Sequence, residues 1–234
     1  MDRHSVAPSV RLPLWWLALA AALIPLLTTH TTYLVSALEG HVPWCVPYWE
    51  PCTSISRTGR YGASYFIFKG AMMPAAVVGA LFWLLNGRWL RQLGAQGAGV
   101  AWLAWLGFGA CLGLVIYTSV LGHIGDTYFA LRRVGVILYF SLTFIAQLLL
   151  SGQLRSLPDW RQSGRRLVSL CQLTLAVGIL SVILQAVIPV TFDDIDDAFE
   201  WTFALLLNIH ALWVAMLWRR SDFRAHLGVG ERPG

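Results

Sequence analysis

Charge is scarce in this chain of 234 residues: Asp, Glu, Lys and Arg together make up 12%, about half the roughly 25% of a soluble domain. That scarcity excludes an ordinary water-soluble protein. Lysine is nearly missing, Lys69 being the single copy against sixteen arginines. No GxSxG, HExxH, P-loop or CxxC pattern occurs, so the familiar signatures of hydrolase, metalloprotease, nucleotide-binding and thiol-redox chemistry are absent. Nucleic-acid binding is not expected despite the net charge of +5, because the arginines sit beside the ends of apolar runs, where they report orientation.

What fills the chain is hydrophobic surface: 57% of residues are apolar or aromatic and the mean hydropathy is +0.61. Crossing a bilayer takes about 20 helical residues, and runs of that length occur near 13–37, 62–86, 98–121, 128–151, 167–190 and 198–218. The fold class expected is therefore all-α: a polytopic membrane protein with one domain over 1–234, built from six transmembrane helices. Arg3, Arg11, Arg88, Arg91, Arg155, Arg161, Arg165, Arg166, Arg219, Arg220 and Arg224 all fall on one side of such a bundle. The 191–197 loop on the other side carries Asp193, Asp194, Asp196 and Asp197 and no base. Arginine marks the cytoplasmic face, so both termini are expected there. Arg57 and Arg60 break the pattern on the outer side. Either a short loop tolerates them or they meet an anionic headgroup.

The first span has a second reading as a signal peptide, since Val35-Ser36-Ala37 looks like a cleavage site. Its apolar run is about twice the usual length of a signal core, and Thr28, Thr29, His30 and Tyr33 read as one polar face of a retained, packed helix. Pro25 and Pro74 can bend the first two spans, and Gly70 and Gly79 permit close approach of neighbours.

The first outer loop, from Cys45 to Arg60, is the longest polar interruption. Cys45 and Cys52 enclose six residues on the oxidising side, so a disulfide is expected; the alternative is two free thiols beneath Trp44, Tyr48 and Trp49. Without a histidine pair nearby, no zinc site is expected, and no cofactor. Cys111 and Cys171 fall mid-span as small packing residues.

An ionisable group in a membrane costs at least about 2.5 kcal/mol unless it is paired or wet. Lys69 enters the second span about 10 Å below its outer end, counting 1.5 Å per residue from Gly62. It is expected either to snorkel to the interface or to join one network with Glu200, directly or through His123 and Asp126. The turn between the third and fourth spans brings His123 and Asp126, then Arg132 and Arg133, to the same outer side. His123 is the candidate for acid–base work because its charge changes near neutral pH, and Asp126 is a candidate cap for the fourth span. The aspartates at 193–197 are similar to magnesium–diphosphate ligands, but their spacing is not DDxxD, and they also suit a helix N-terminus. Asn208 and His210 are expected to hydrogen-bond within the bundle.

Ser54-Ile55-Ser56-Arg57-Thr58-Gly59, followed by Tyr65-Phe66-Ile67-Phe68, resembles the I-S-x-T-G and aromatic opening of the DRAM/Sfk/Frag family, the damage-regulated autophagy modulators and their relatives. His123-Ile124-Gly125 is similar to that family's H-x-x-G region with the glycine one place early, and Glu200-Trp201 and Asp222-Phe223 are similar to its E-W and D-F landmarks. Arg57, Arg132 and Arg133 depart from the pattern. The resemblance implies lipid-linked biology, including glycosylphosphatidylinositol-anchor remodelling, lipid organisation and autophagy, with no shared catalytic mechanism to carry over.

The function expected is recognition of membrane lipid headgroups at an extracytoplasmic polar cleft between spans one, two, three, four and six, in lipid organisation or remodelling. Its ligand-binding candidates are Arg57, Arg60, Lys69, Arg132, Arg133 and Glu200. An alternative is a membrane-embedded hydrolase or acyltransferase with Ser54 or Ser56 as nucleophile, His123 as base and Asp126 as orienter. A third is a structural or regulatory partner of another membrane protein, for which Gly107, Gly109 and Gly113 would offer a lipid-facing stripe of small residues. The location expected is the plasma membrane or a bacterial inner membrane, the arginine bias pointing to a GC-rich genome.

Overall fold

Backbone polar groups in hydrocarbon find partners only within the chain, which makes an apolar run of this length a helix. The structure, a computed structural model, describes residues 10–50, 52–188 and 196–227, and six of its helices are long and apolar enough to cross a membrane. They are α1 (Trp15–Leu38), α3 (Gly62–Gln92), α4 (Ala98–Val120), α5 (Asp126–Ser156), α6 (Arg161–Val187) and α7 (Asp196–Arg220). A single-turn helix, α2 (Ile55–Thr58), lies in the first outer loop, and a 3₁₀ turn at Pro158–Trp160 leads into α6. The six runs of the sequence are thus six helices, but α3 and α5 reach 31 residues each. At 1.5 Å per residue each is about 46 Å long, well beyond the roughly 30 Å hydrocarbon core. Their extra turns carry Arg88, Arg91 and Arg155, so the helices run on into the headgroup layer where those charges are solvated. Pro25 and Pro74 stay inside α1 and α3.

Helix α1 packs on α3 and α7, α4 fits between α3 and α5, and α6 leans on α5 and α7. Small residues set the closest of these approaches. A Cβ on Gly135 of α5 would lie 2.6 Å from the Tyr117 nitrogen and 2.7 Å from the Gly113 carbonyl oxygen of α4, so this pair of helices touches backbone to backbone. Gly107 receives the Trp83 side chain and Gly109 faces Leu142. The glycines of the third span therefore serve packing within the bundle. In α6 the buried residues are Gly164, Leu167, Cys171 and Thr174, all in its cytoplasmic half. Its outer half has no buried residue and borders a groove toward α5 and α7.

A two-stranded sheet adds to the all-α expectation: β1 (Val10–Pro13) pairs antiparallel with β2 (Arg224–Leu227). The Leu14 N–H donates to the Phe223 carbonyl at 3.0 Å, and Asp222 turns the chain with φ of 49°. Beneath it the Trp218 indole donates to Asn86 (3.2 Å) and the Trp89 indole to Ser221 (3.0 Å), satisfying polar tips of otherwise apolar rings. Both described ends of the chain thus lie on one face, which the arginine bias makes cytoplasmic. Deeper in the bundle, Gln147 donates to the Leu207 carbonyl (2.9 Å), and Ser151 pairs with His210 (2.9 Å). Asn208 instead bonds along its own helix, to Ala204.

Candidate functional site

The first outer loop is closed by a disulfide between Cys45 and Cys52 and pinned to the helices by polar contacts from α1 and α7. The Tyr33 hydroxyl donates to the Cys45 carbonyl at 2.6 Å and accepts the Cys45 N–H at 2.8 Å. Tyr48 pairs with His30 Nε2 at 2.9 Å, while His30 Nδ1 lies 2.7 Å from the Leu26 carbonyl. That carbonyl can only accept, so Nδ1 carries a proton, and in the neutral ring Nε2 then accepts from Tyr48. Burial raises the Tyr48 phenol above its ordinary pKa, which keeps the donor protonated. The Trp201 indole donates to the Thr53 carbonyl at 2.9 Å, and its ring meets His30, Tyr48 and Tyr33 at 5.5, 5.8 and 6.1 Å between centroids. Of the three loop aromatics, only Tyr48 turns inward. Trp44 and Trp49 stay exposed, at the level where tryptophan prefers the bilayer interface.

Below this cap, Ser54 is the N-cap of α2, its hydroxyl accepting the Arg57 N–H at 3.2 Å. Thr58 is anchored to Thr32 of α1 at 3.2 Å, and Gly59 admits Phe68, whose ring a Cβ there would meet at 2.7 Å. So placed, α2 delivers three groups to the bundle. Ser56 hydrogen-bonds the Tyr117 hydroxyl at 3.0 Å. Ile55 lines, together with Glu200, the space beneath the loop. Arg60 stands within electrostatic range of Glu200, Asp197 and Arg132, and Arg57 within range of Asp197. Among the described residues the buried Arg60 Nε has no hydrogen-bond partner. The ion pairs among the described residues are His41–Glu39 and Arg224–Asp222, so no arginine here closes onto an acid.

Two spaces meet at Glu200. One is a narrow space among α1, α3, α4, α5 and α7, with Thr29, Phe68, Tyr117, Tyr139 and Asn208 in its wall. The other is an open groove between α5, α6 and α7, bounded by Phe140, Gly178, Ser181, Gln185, Asp196 and Phe203. Spans one, two, three, four and six thus enclose a space as expected, but its wall is mostly apolar, and the fifth span borders the second. The polarity is concentrated at the top, where α2 and the start of α7 face each other.

The remaining expected residues are held elsewhere. Lys69 donates to the Tyr65 hydroxyl (2.7 Å) and the Ser119 carbonyl (3.1 Å), with its ammonium 4.4 Å from the Tyr65 ring centre. Among the described residues no hydrogen bond or ion pair joins it to Glu200, His123 or Asp126, so the expected network is not formed. Two acceptors one turn away and across at α4 satisfy the ammonium locally. His123 is exposed and leans on Tyr128, ring centres 5.0 Å apart. Asp126 is exposed in the first turn of α5, and the N-cap is Gly125. The Arg132 guanidinium lies 5.2 Å from the Phe129 ring centre, and Arg133 is exposed. The serines and His123 are not brought together: Ser54 is engaged in its cap and Ser56 with Tyr117. Asp193 and Asp194 lie outside the described residues. Among the described residues no group of three His, Cys, Asp or Glu side chains is arranged to hold a metal ion.

The sequence did not single out Tyr117 or the anchoring roles of His30, Tyr33 and Trp201. The signal for Tyr117 was slight, a phenol in the last turn of an apolar span. Glu39 was missed as well: both its carboxylate oxygens accept the Ala63 N–H, at 3.1 and 3.2 Å, at the start of α3, where a negative charge also meets the helix dipole favourably. No curated protein and no solved structure matches the chain. A family model described as Frag1/DRAM/Sfk1/Cwh43P N-terminal domain matches residues 13–218.

Proposed function

Since the chain belongs to the Frag1/DRAM/Sfk1/Cwh43P family and is a multi-pass integral membrane protein, we propose that it recognises lipid headgroups at the cleft beneath the first outer loop, serving lipid organisation or remodelling. The observation that carries this reading is the position of Glu200, where the enclosed space meets the groove between α5, α6 and α7. That groove lies between three membrane-spanning helices, the route by which a lipid would reach the charged groups from within the bilayer. From above, approach is obstructed by a loop held through its disulfide, Tyr33, His30 and Trp201. Arg57 and Arg60 supply forked donors of the kind that suit phosphate oxygens, and the apolar walls below suit acyl chains.

The test is photolabelling in reconstituted vesicles with a phospholipid carrying a diazirine on the first carbons of its acyl chain. Expected are adducts in the 136–140 and 196–204 segments that excess unlabelled lipid suppresses and that fall several-fold in Arg60→Gln. Labelling confined to outward-facing residues such as Phe66, Val77 and Trp102, and indifferent to Arg60→Gln, would refute the proposal.

A further inference from the structure

Deeper than the charged groups, the bundle keeps a sparse line of polar side chains that headgroup recognition leaves unused. Tyr139, Thr143, Gln147 and Ser151 recur at every fourth residue of α5, which puts them on one face of the helix. Ser151 is satisfied: its hydroxyl donates to the Gln147 carbonyl at 2.7 Å and pairs with His210 Nε2 at 2.9 Å. Thr143 is not. It is only 8% exposed, and among the described residues its hydroxyl has no hydrogen-bond partner. The Gln147 amide donates to the Leu207 carbonyl at 2.9 Å and the Asn208 amide to the Ala204 carbonyl at 2.8 Å, so each presents an oxygen that can still accept.

These groups line two narrow spaces that adjoin. The upper is the one with Ile55, Tyr117 and Glu200 in its wall; the lower has Cys111, Thr143 and Gln147, and Pro25, Leu114, Tyr139, Leu207 and Asn208 border both. Hydrocarbon offers no bulk water to a polar group, so an unmet donor or acceptor at this depth is costly. Volume selects what can meet it. Each space measures about 40 Å³, against the roughly 10–15 Å³ that a single water needs. A lipid headgroup does not fit, whereas a few waters do, and the hydroxyls and amide oxygens of the wall supply the two to four partners that a buried water takes. We infer that water fills the two spaces as a short file running from the underside of the first outer loop to Gln147. The file is a dead end rather than a pore, because Leu150, Leu154 and Leu167, all fully buried, close the bundle beyond it. It needs no lipid in the α5–α6–α7 groove.

X-ray radiolysis of the full chain in lipid nanodiscs tests it, since a radical born from a bound water oxidises the side chain beside it even where bulk solvent does not reach. Two native thiols make the comparison: both are buried, but Cys111 borders the lower space and Cys171 borders neither. Cys111 should be oxidised several-fold faster than Cys171, and its product should carry heavy oxygen after equilibration in labelled water. Thr143→Val, which keeps the shape and removes the hydroxyl, should cut the Cys111 rate several-fold and leave the exposed Trp102 unaffected. Thr143→Ser should preserve the rate, as should Gly70→Ala, at a site with no neighbour within 4 Å. If Thr143→Val does not fold, Asn208→Leu provides the same readout. Equal, slow oxidation of the two thiols would overturn the inference, and so would a Cys111 rate indifferent to Thr143→Val. A melting temperature raised by sodium chloride but not by choline chloride, and no longer raised in Thr143→Val, would show a coordinated cation in place of water and overturn it as well.

Discussion

A single hydroxyl, that of Tyr33, satisfies both the N–H and the carbonyl of Cys45, and one indole, Trp201, ties the far end of the loop at Thr53 to α7. These side chains do more to set the loop over the cleft than its charged residues do. Lys69 shows the contrast. A lysine in a buried network with Glu200 would strand its partner when removed, at about 3–5 kcal/mol; a lysine bonded to Tyr65 and a backbone carbonyl strands no charge. Lys69→Met is therefore expected to cost only about 1–3 kcal/mol, and its effect should add to that of Glu200→Gln within about 0.5 kcal/mol, as for independent sites. Thermal unfolding in detergent of both single variants and the double variant checks this. Recovery of stability in the double variant would place the two charges in one network after all.

Among the helices, the α4–α5 contact is the one with no slack, because Gly113 and Gly135 bring two backbones together and the same contact positions Tyr117 for Ser56. Gly135→Ala must push the helices apart, an overpacking cost of roughly 1–3 kcal/mol. Gly152→Ala, in the same helix with nothing within 4 Å, should be neutral or gain up to about 1 kcal/mol from the better helix former. Melting temperatures of the two variants should move in opposite directions, or only the first should fall. An unchanged melting temperature for Gly135→Ala would mean that this approach is not a constraint. The length of α6 was evident from its hydropathy, whereas the lack of buried residues in its outer half was not. Hydropathy reports that a segment is apolar; it does not report whether lipid or another helix covers it.

For the molecule as a whole, the arginine asymmetry and the shared face of β1 and β2 agree on a topology with an even number of crossings. A membrane-impermeant maleimide added to intact cells should label a cysteine placed at His123 and spare one placed at Arg88. The reverse pattern would invert the assignment of the two faces and put the Cys45–Cys52 loop in the cytoplasm.

Composition sufficed for the class, because a chain with 12% charge and six runs of membrane length has no other way to satisfy its backbone in hydrocarbon than as helices. The spacing of Cys45 and Cys52 sufficed for their pairing, since that depends on features local to one loop. The gathering of Arg57, Arg60 and Arg132 with Asp197 and Glu200 depended on contacts between segments more than 60 residues apart. It required Gly59 to admit Phe68 and Gly113 to admit Gly135. Lys69 and Glu200 lie at comparable depths from the same outer face, and nothing in their sequence positions says that they turn toward different partners. That is settled by which face of each helix meets which neighbour, a property of the packed bundle rather than of any one segment.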